Sequence, residues 1–310
     1  DIRAANAKAN VGVVAAAAVP PPTAYAAAAE ACARAGQGIR ARGLIAELEA
    51  AARAASTGDS GVAKGEGPTI ECYNALIAGF AIAGDLDSAL RTLREEIPRS
   101  GLRVDTRSYN HLLAGCARAG RWETALELLG EQRSVKSRDA PANRESYNSA
   151  LDACGRSGQV APALDLLGAM RSASLSNRRL QPDRYSYRGA LEACRAAGDF
   201  STALRLLKTM GEEGVRADQG CSLAAVAACA AAGRGEEAAD VLQGMVAARV
   251  STSDGARALA RDACTEEEEG SRGNDGAVIV ARKGFERALV ALAALDALAS
   301  ERWASTNGAS

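Results

Sequence analysis

Histidine is almost missing from this chain: His111 is the only one in 310 residues. A Ser-His-Asp triad, a Cys-His nucleophile pair and an imidazole-based metal site would each have to be built on that one residue. Aromatics are scarce too, at 4 % against 47 % hydrophobic residues. The apolar content is therefore mostly alanine and leucine, which favour helix, and it suits closely approaching helices better than a deep aromatic core. An excess of charge of one sign is also lacking, with 37 Lys and Arg against 38 Asp and Glu. Nothing in the global charge attracts a polyanion, so any nucleic-acid partner has to be met by a local face. No stretch of about 18 apolar residues is free of Pro, Gly and charge, so no membrane span is expected. Residue 1 is Asp and the first methionine is Met170. The chain is therefore expected to be a fragment or a processed product, with any targeting segment upstream.

What is present is a repeat. Tyr73-Asn74, Tyr109-Asn110, Tyr147-Asn148 and Tyr187-Arg188 recur, each Tyr followed eleven residues later by Gly84, Gly120, Gly158 or Gly198. Tyr25 with Gly36 and Ser222 with Gly233 keep the same interval. Five residues after each Gly stands Ala41, Ala89, Ala125, Ala163, Ala203 or Ala238, and nine after it stands Ile45, Leu93, Leu129, Leu167, Leu207 or Leu242. The spacing inside the unit is fixed while the period varies from 35 to 48, so insertions such as Ser56–Gly67 and Ser174–Leu180 fall between units.

Each unit reads as two helices. Tyr73, Ile77, Phe80 and Ala81 make one apolar stripe, and Leu86, Ala89, Leu90, Leu93 and Ile97 a second. Gly84 between them suits a left-handed helix end that alanine would resist. The conserved-by-spacing Ala lets the two helices approach closely. No unit buries its stripe alone, so neighbours must stack. The expected architecture is all-α: a right-handed superhelical solenoid of helix-turn-helix repeats. Residues 1–21 read as an N-terminal flank, 22–253 as six repeats, 254–299 as a degenerate seventh with an acidic and Gly-rich insertion, and 300–310 as a tail.

Eight cysteines raise the question of metal or disulfide chemistry, yet no CxxC pair exists. Cys32, Cys116, Cys154, Cys194 and Cys229 each lie four residues before the Gly of their unit. They occupy one equivalent helix position, and stacked repeats set such residues roughly 10 Å apart, beyond disulfide reach. Small buried thiols are the expected reading, with no cofactor and no metal.

The pattern Tyr-Asn…Gly…Ala-Leu…Leu…Pro-Asp resembles the pentatricopeptide repeat family, most clearly over Glu71–Asp105 and in "ESYNSALDACGRSGQVAPALDLLGAM". The resemblance covers roughly residues 22–253. It is separated from a tetratricopeptide array by the missing Trp-Leu-Gly…Tyr signature, since Trp122 and Trp303 occupy no repeating slot. The family addresses one base of single-stranded RNA per repeat. The resemblance implies that the residue after the Tyr, with the last residue of the same repeat, faces the base. Asn offers a donor and an acceptor, and ionised Asp acceptors only.

Carried onto this chain, Asn74 with Asp105 implies uracil, Asn110 with Asn143 cytosine or a pyrimidine, and Asn148 with Asp183 uracil again. A helix-capping role for Asp105, Asn143 and Asp183 is compatible with this. Arg188 with Asp218 occupies the same slots but matches no known pair, as do Ala26 with Thr69 and Leu223 with Ser253. Where the family has an aliphatic residue that sandwiches the base, this chain has Glu71, Arg107, Glu145 and Tyr185. Arg118 and Arg156, with Arg34, each lie two residues before their Gly. They offer either a basic line for phosphates or compensation of the helix dipole.

The function implied is sequence-selective binding of single-stranded RNA, with a pyrimidine core, by an organellar protein of the mitochondrion or chloroplast. It would act in RNA processing, stability or translation, without catalysis of its own. The alternatives are a protein-interaction scaffold and the RNA-binding part of a larger RNA-processing enzyme.

Overall fold

A computed structural model describes residues 22–56, 67–134 and 140–248, together with 287, 290, 291, 293, 294 and 297. Among these residues there are twelve helical runs and no strand. In order they are α1 Pro22–Arg34, α2 Gly38–Ser56, α3 Ile70–Ala83, α4 from Leu86 to Arg99, α5 Thr106–Ala119, α6 Trp122–Arg133, α7 Arg144–Arg156, α8 Val160–Ser174, α9 Arg184–Ala197, α10 Phe200–Glu212, α11 Gln219–Ala231 and α12 Gly235–Ala247. In chain order they fall two to each expected repeat. No described helix is long and apolar enough to cross a membrane. Almost all of the expected seventh repeat, Cys264 included, lies outside the described residues.

The recurrent residues have one physical role each. All six interval glycines, Gly36, Gly84, Gly120, Gly158, Gly198 and Gly233, take φ between 65° and 82°, the left-handed region in which an L side chain is strained. The next backbone N–H then closes the helix end, as Asp85 N–H does onto the carbonyl of Phe80. Ala41, Ala89, Ala125, Ala163, Ala203 and Ala238 are all 0 % exposed, as close packing inside each pair requires. Cys116, Cys154, Cys194 and Cys229 are likewise fully buried. Seven described cysteines are free thiols, and burial pushes Cys116 and Cys154 up to about 11 and Cys194 up to about 12. Leu207 departs from the pattern: it is half-buried and its neighbour Leu206 fills the core instead.

Contacts divide the chain into two units, residues 1–115 with 138–140 and residues 116–137 with 141–310. The division falls within α5. In the first unit α1 packs on α3, and α2 packs on both α1 and α3. Gly38 stands so close to the Phe80 ring that an added Cβ would sit 2.5 Å from it, and Arg42 lies over the same ring, 4.9 Å from its centre. Pro98 has no N–H to give to the carbonyl of Arg94. Helix α4 absorbs the missing bond in a π turn over Thr92–Glu96, where Ile97 N–H reaches Thr92 O.

In the second unit the first helices α7, α9 and α11 pack in series, and each second helix also touches the first helix of the next repeat. The α7–α9 contact is very close. A Cβ on Gly155 would lie 2.7 Å from the carbonyl oxygen of Gly189, and one on Gly189 would lie 2.9 Å from Leu151 backbone. The Tyr187 hydroxyl ties three helices together: it accepts from Arg171 of α8 at 2.9 Å and donates to Glu213, just past α10, at 2.5 Å. Burial and the neighbouring Glu213 carboxylate raise this phenol to about 12.

Candidate functional site

The site is built from the start of each first helix. Its cap is an acidic or amide residue followed three positions later by a small hydroxyl or thiol residue: Asp105 with Ser108, Asn143 with Ser146, Asp183 with Ser186, Asp218 with Cys221. In α7 and α9 the cap is reciprocal. Asn143 Oδ1 accepts from Ser146 N–H at 2.9 Å and Asp183 Oδ1 from Ser186 N–H at 3.0 Å. Each Ser hydroxyl in turn accepts the cap residue's own N–H. Asp105 caps α5 through Ser108 N–H at 2.8 Å, and Asp218 caps α11 through Cys221 N–H at 3.0 Å. The capping role is thus present at all four positions.

The same carboxylates and hydroxyls also reach back to the preceding repeat. Asn74 Nδ2 donates to both oxygens of Asp105 at 3.2 Å, and Ser108 Oγ donates to Asn74 Oδ1 at 2.6 Å. One unit further on the arrangement recurs: Asn148 Nδ2 donates to Asp183 Oδ1 at 3.2 Å and Ser186 Oγ to Asn148 Oδ1 at 2.6 Å. Two of the three residue pairs singled out from the sequence are therefore brought together, each as a closed Asn–Asp–Ser triad. Ser108 and Ser186 were missed by the sequence reading. The signal for them was the Asp-x-x-Ser spacing of a capping box directly before the Tyr.

The triad fixes which way each amide faces, carbonyl to the serine and amino group to the carboxylate. One N–H of Asn148 and one lone pair of its carbonyl remain. That is a donor beside an acceptor, the set needed for the edge of a pyrimidine. Burial by itself would raise the Asp183 carboxyl. The Ser186 N–H, the Asn148 amide, the Ser186 hydroxyl and the charge of Arg144 outweigh it and hold the pKa below the usual carboxylate value.

The remaining candidates are less alike. Asn110 is buried on α5, in the first unit, and Asn143 belongs to the second. Arg188 is exposed on α9 with its guanidinium 5.2 Å from the centre of the Tyr185 ring. Arg118 and Arg156 are exposed in the last turns of α5 and α7. Arg156 pairs with Asp152 of its own helix at 3.3 Å, and Arg34 with Glu30 at 4.0 Å. Two members of the expected basic line are therefore partly neutralised where they stand. Among the described residues no group of three His, Cys, Asp or Glu side chains is placed to hold a metal ion.

A family model for the pentatricopeptide repeat domain matches residues 92–157, and a PPR repeat model matches residues 71–95 and 145–175. Residues 71–175 carry pentatricopeptide repeats. Among solved structures the chain is similar to the pentatricopeptide repeat protein PPR10 from maize, at 18 % identity over 93 % of this chain and 42 % of that one, with a TM-score of 0.51. PPR10 in complex with an 18-nt psaJ RNA element is similar at 23 % identity over 88 % of this chain and 38 % of that one, with a TM-score of 0.56. The nuclear proteinaceous RNase P 2 of A. thaliana is similar at 17 % identity over 66 % of this chain and 43 % of that one, with a TM-score of 0.51. These likenesses are of fold, the pentatricopeptide-repeat solenoid. The chain spans less than half the length of each of these structures. No curated protein matches it.

Proposed function

We propose that this pentatricopeptide-repeat chain binds single-stranded RNA and prefers pyrimidines at its core. The observation that carries the reading is the duplicated triad, Asn74–Asp105–Ser108 and Asn148–Asp183–Ser186. Each triad places a donor and an acceptor of fixed orientation at the same point of two different repeats. A base splayed out of its stack presents its Watson–Crick edge to such a pair, and uracil offers the complementary acceptor and donor. Between them lies the repeat of Asn110 and Asn143, so the core is read as U, then C or U, then U. The match to PPR10, whose structure holds RNA, supports the same reading. We place this activity in RNA processing, stability or translation within a mitochondrion or chloroplast, on the strength of the family resemblance.

Three bases do not suffice for tight binding. At about 1–3 kcal/mol per stacked base, the core supplies about 3–9 kcal/mol before ordering costs, so contacts outside the triads must add to it. The test is the triple variant Asn74→Ala, Asn110→Ala, Asn148→Ala. Its affinity for UCU-centred RNA should fall to the level of GAG-centred RNA, while the GAG affinity itself stays near that of the unmodified chain. Equal affinities for both RNAs before any mutation would remove the base-reading claim. Binding to neither would favour a protein-interaction scaffold.

A further inference from the structure

The two triads contain the same three residue types, so the Asn–Asp pair by itself makes them equal readers. Their surroundings differ. At the first position of the helix, four residues before the triad asparagine, stands Ile70 in α3 and Arg144 in α7. Arg144 reaches across to the next repeat twice. Its Nε donates to the carbonyl of Arg179 at 3.0 Å, and a terminal N–H donates to Asp183 Oδ2 at 3.4 Å. The first contact, made by a different nitrogen, holds the guanidinium plane against the carboxylate. Both side chains stay partly exposed, the arginine at 40 % and the aspartate at 28 %, so a ligand reaches this pair.

The occupancy of the two carboxylate oxygens decides what the arginine does. Asp183 Oδ1 accepts from the Tyr185 N–H, the Ser186 N–H and the Asn148 amide, which fills its lone pairs. Whatever this carboxylate offers a base, it offers through Oδ2, and that is the oxygen Arg144 covers. In the first triad Asp105 Oδ1 takes the Ser108 N–H, and both Asp105 oxygens share the Asn74 amide. Ile70 has neither charge nor N–H in its side chain to bring to Asp105 Oδ2. The first triad therefore presents an anionic acceptor, and the second an acceptor already paired with a cationic donor.

We infer that Arg144 is a specificity-determining residue: it makes the second triad tolerant of cytosine, while the first triad discriminates sharply in favour of uracil. The two pyrimidines differ on the edge that is read. Uracil has an N3–H donor and an O4 acceptor, cytosine an N3 acceptor and an amino donor. An uncovered carboxylate oxygen attracts the N3–H of uracil and repels the N3 lone pair of cytosine. A guanidinium on that oxygen cancels much of its charge and adds N–H groups to which cytosine N3 or O2 accepts. The inference rests on the base-reading proposal above and refines it, since identical Asn–Asp pairs are assigned unequal selectivity by a residue outside both.

The experiment measures affinity of the full chain, at one salt concentration, for RNAs of equal length centred on UCU, CCU and UCC. Asn74→Ala identifies the nucleotide of the first triad as the end whose uracil-to-cytosine ratio collapses, and the other end belongs to the second triad. In the unmodified chain the first ratio should be about 5- to 150-fold, the span of one good pair of base contacts, and the second ratio smaller. Arg144→Met keeps the aliphatic stem and removes the charge. It should raise the second ratio by about 2- to 5-fold, the scale of a part-exposed ion pair, and leave the first ratio alone. Each ratio is taken within one variant, so a loss of folded protein cancels out of it. Equal ratios at the two ends of the unmodified chain overturn the role of Arg144. So does a second ratio that stays level or falls in Arg144→Met, and so does an equal change at both ends, which marks the arginine as a brace between repeats and nothing more. An unmodified chain that binds UCU and GAG centres alike, or in which Asn74→Ala collapses neither ratio, overturns the base-reading proposal and this inference with it.

Discussion

Replacing Ser186 by alanine deletes a single oxygen from a fully buried position. Two polar groups lose their partner. The Asn148 carbonyl loses a 2.6 Å hydrogen bond, and the Asp183 N–H loses an acceptor at 3.1 Å. The cap itself survives, because Asp183 accepts from the backbone N–H of residue 186 and not from its side chain. At ~1 kcal/mol for each bond lost, and more for any group that water cannot reach, the variant should be less stable by about 1–3 kcal/mol. The urea midpoint should fall while the slope of the transition stays the same, because the area exposed on unfolding is unaltered. A second effect follows from the first. Without Ser186 only the Asp183 carboxylate still orients the Asn148 amide, so the carbonyl end is held less firmly, and any population with the amide flipped presents its acceptor where the base needs a donor. The preference for uracil at that position should shrink by about tenfold, the scale of ~1–3 kcal/mol for one well-placed pair of base contacts. Ser134→Ala, which removes a bond from an exposed hydroxyl to Glu131 O, should change stability by less than about 0.5 kcal/mol. A Ser186→Ala midpoint equal to that of the unmodified chain would refute the energetic reasoning. A destabilised variant with full uracil preference would refute the claim that the triad orients the reader.

Gly189→Ala should destabilise by about 1–3 kcal/mol, because the new methyl group would press on Leu151 backbone at 2.9 Å; thermal or urea unfolding measures it. Tyr187→Phe should cost about 1–3 kcal/mol in the same assay, since the Arg171 and Glu213 bonds go while the ring remains. Acid should weaken the caps. The folded pKa values of Asp85, Asp183 and Asp199 are all depressed, so their stabilisation is fully present above the unfolded value of about 3.9 and is lost as pH falls through the folded values. The urea midpoint should therefore be level down to about pH 5 and drop below about pH 4, and Asp183→Asn should make that drop shallower. With Cys116, Cys154, Cys194 and Cys221 raised to about 11 or 12, disulfide reagents should react slowly at neutral pH with the native chain and rapidly with all eight thiols in denaturant. Stoichiometric zinc in the purified protein would contradict this picture of the cysteines.

The repeat was legible because its constraints are local. A glycine forced to positive φ and an alanine with no room for a larger side chain recur at fixed intervals, and both appear where the intervals put them. The helix caps were legible for the same reason, as Asp or Asn just ahead of an apolar stripe. The triads were only half legible. Asn148 and Asp183 could be paired by resemblance, but the Ser186 hydroxyl that locks them belongs to the next helix, and its reach back to Asn148 exists only once two repeats are stacked. Gly155 and Gly189 sit at no recurring offset, so the close approach of α7 and α9 left no periodic trace. The arginines illustrate the opposite error. Arg156 stood out in sequence as a phosphate contact, yet Asp152 lies one turn before it on the same helix face. Arg144 of α7 instead reaches the carbonyl of Arg179 and the carboxylate of Asp183, contacts 35 and 39 residues away that no single window of sequence holds. The π turn in α4 follows from Pro98, but only a structure shows that the helix continues through it.

Binding of the full chain to UCU-centred and GAG-centred single-stranded RNAs of equal length, at one fixed salt concentration, tests the central claim most directly. Two triads that each distinguish a pyrimidine edge by ~1–3 kcal/mol predict a UCU affinity higher by at least about tenfold, lost when Asn74 and Asn148 are both changed to Ala. Equal affinity for the two RNAs in the unmodified chain would contradict it.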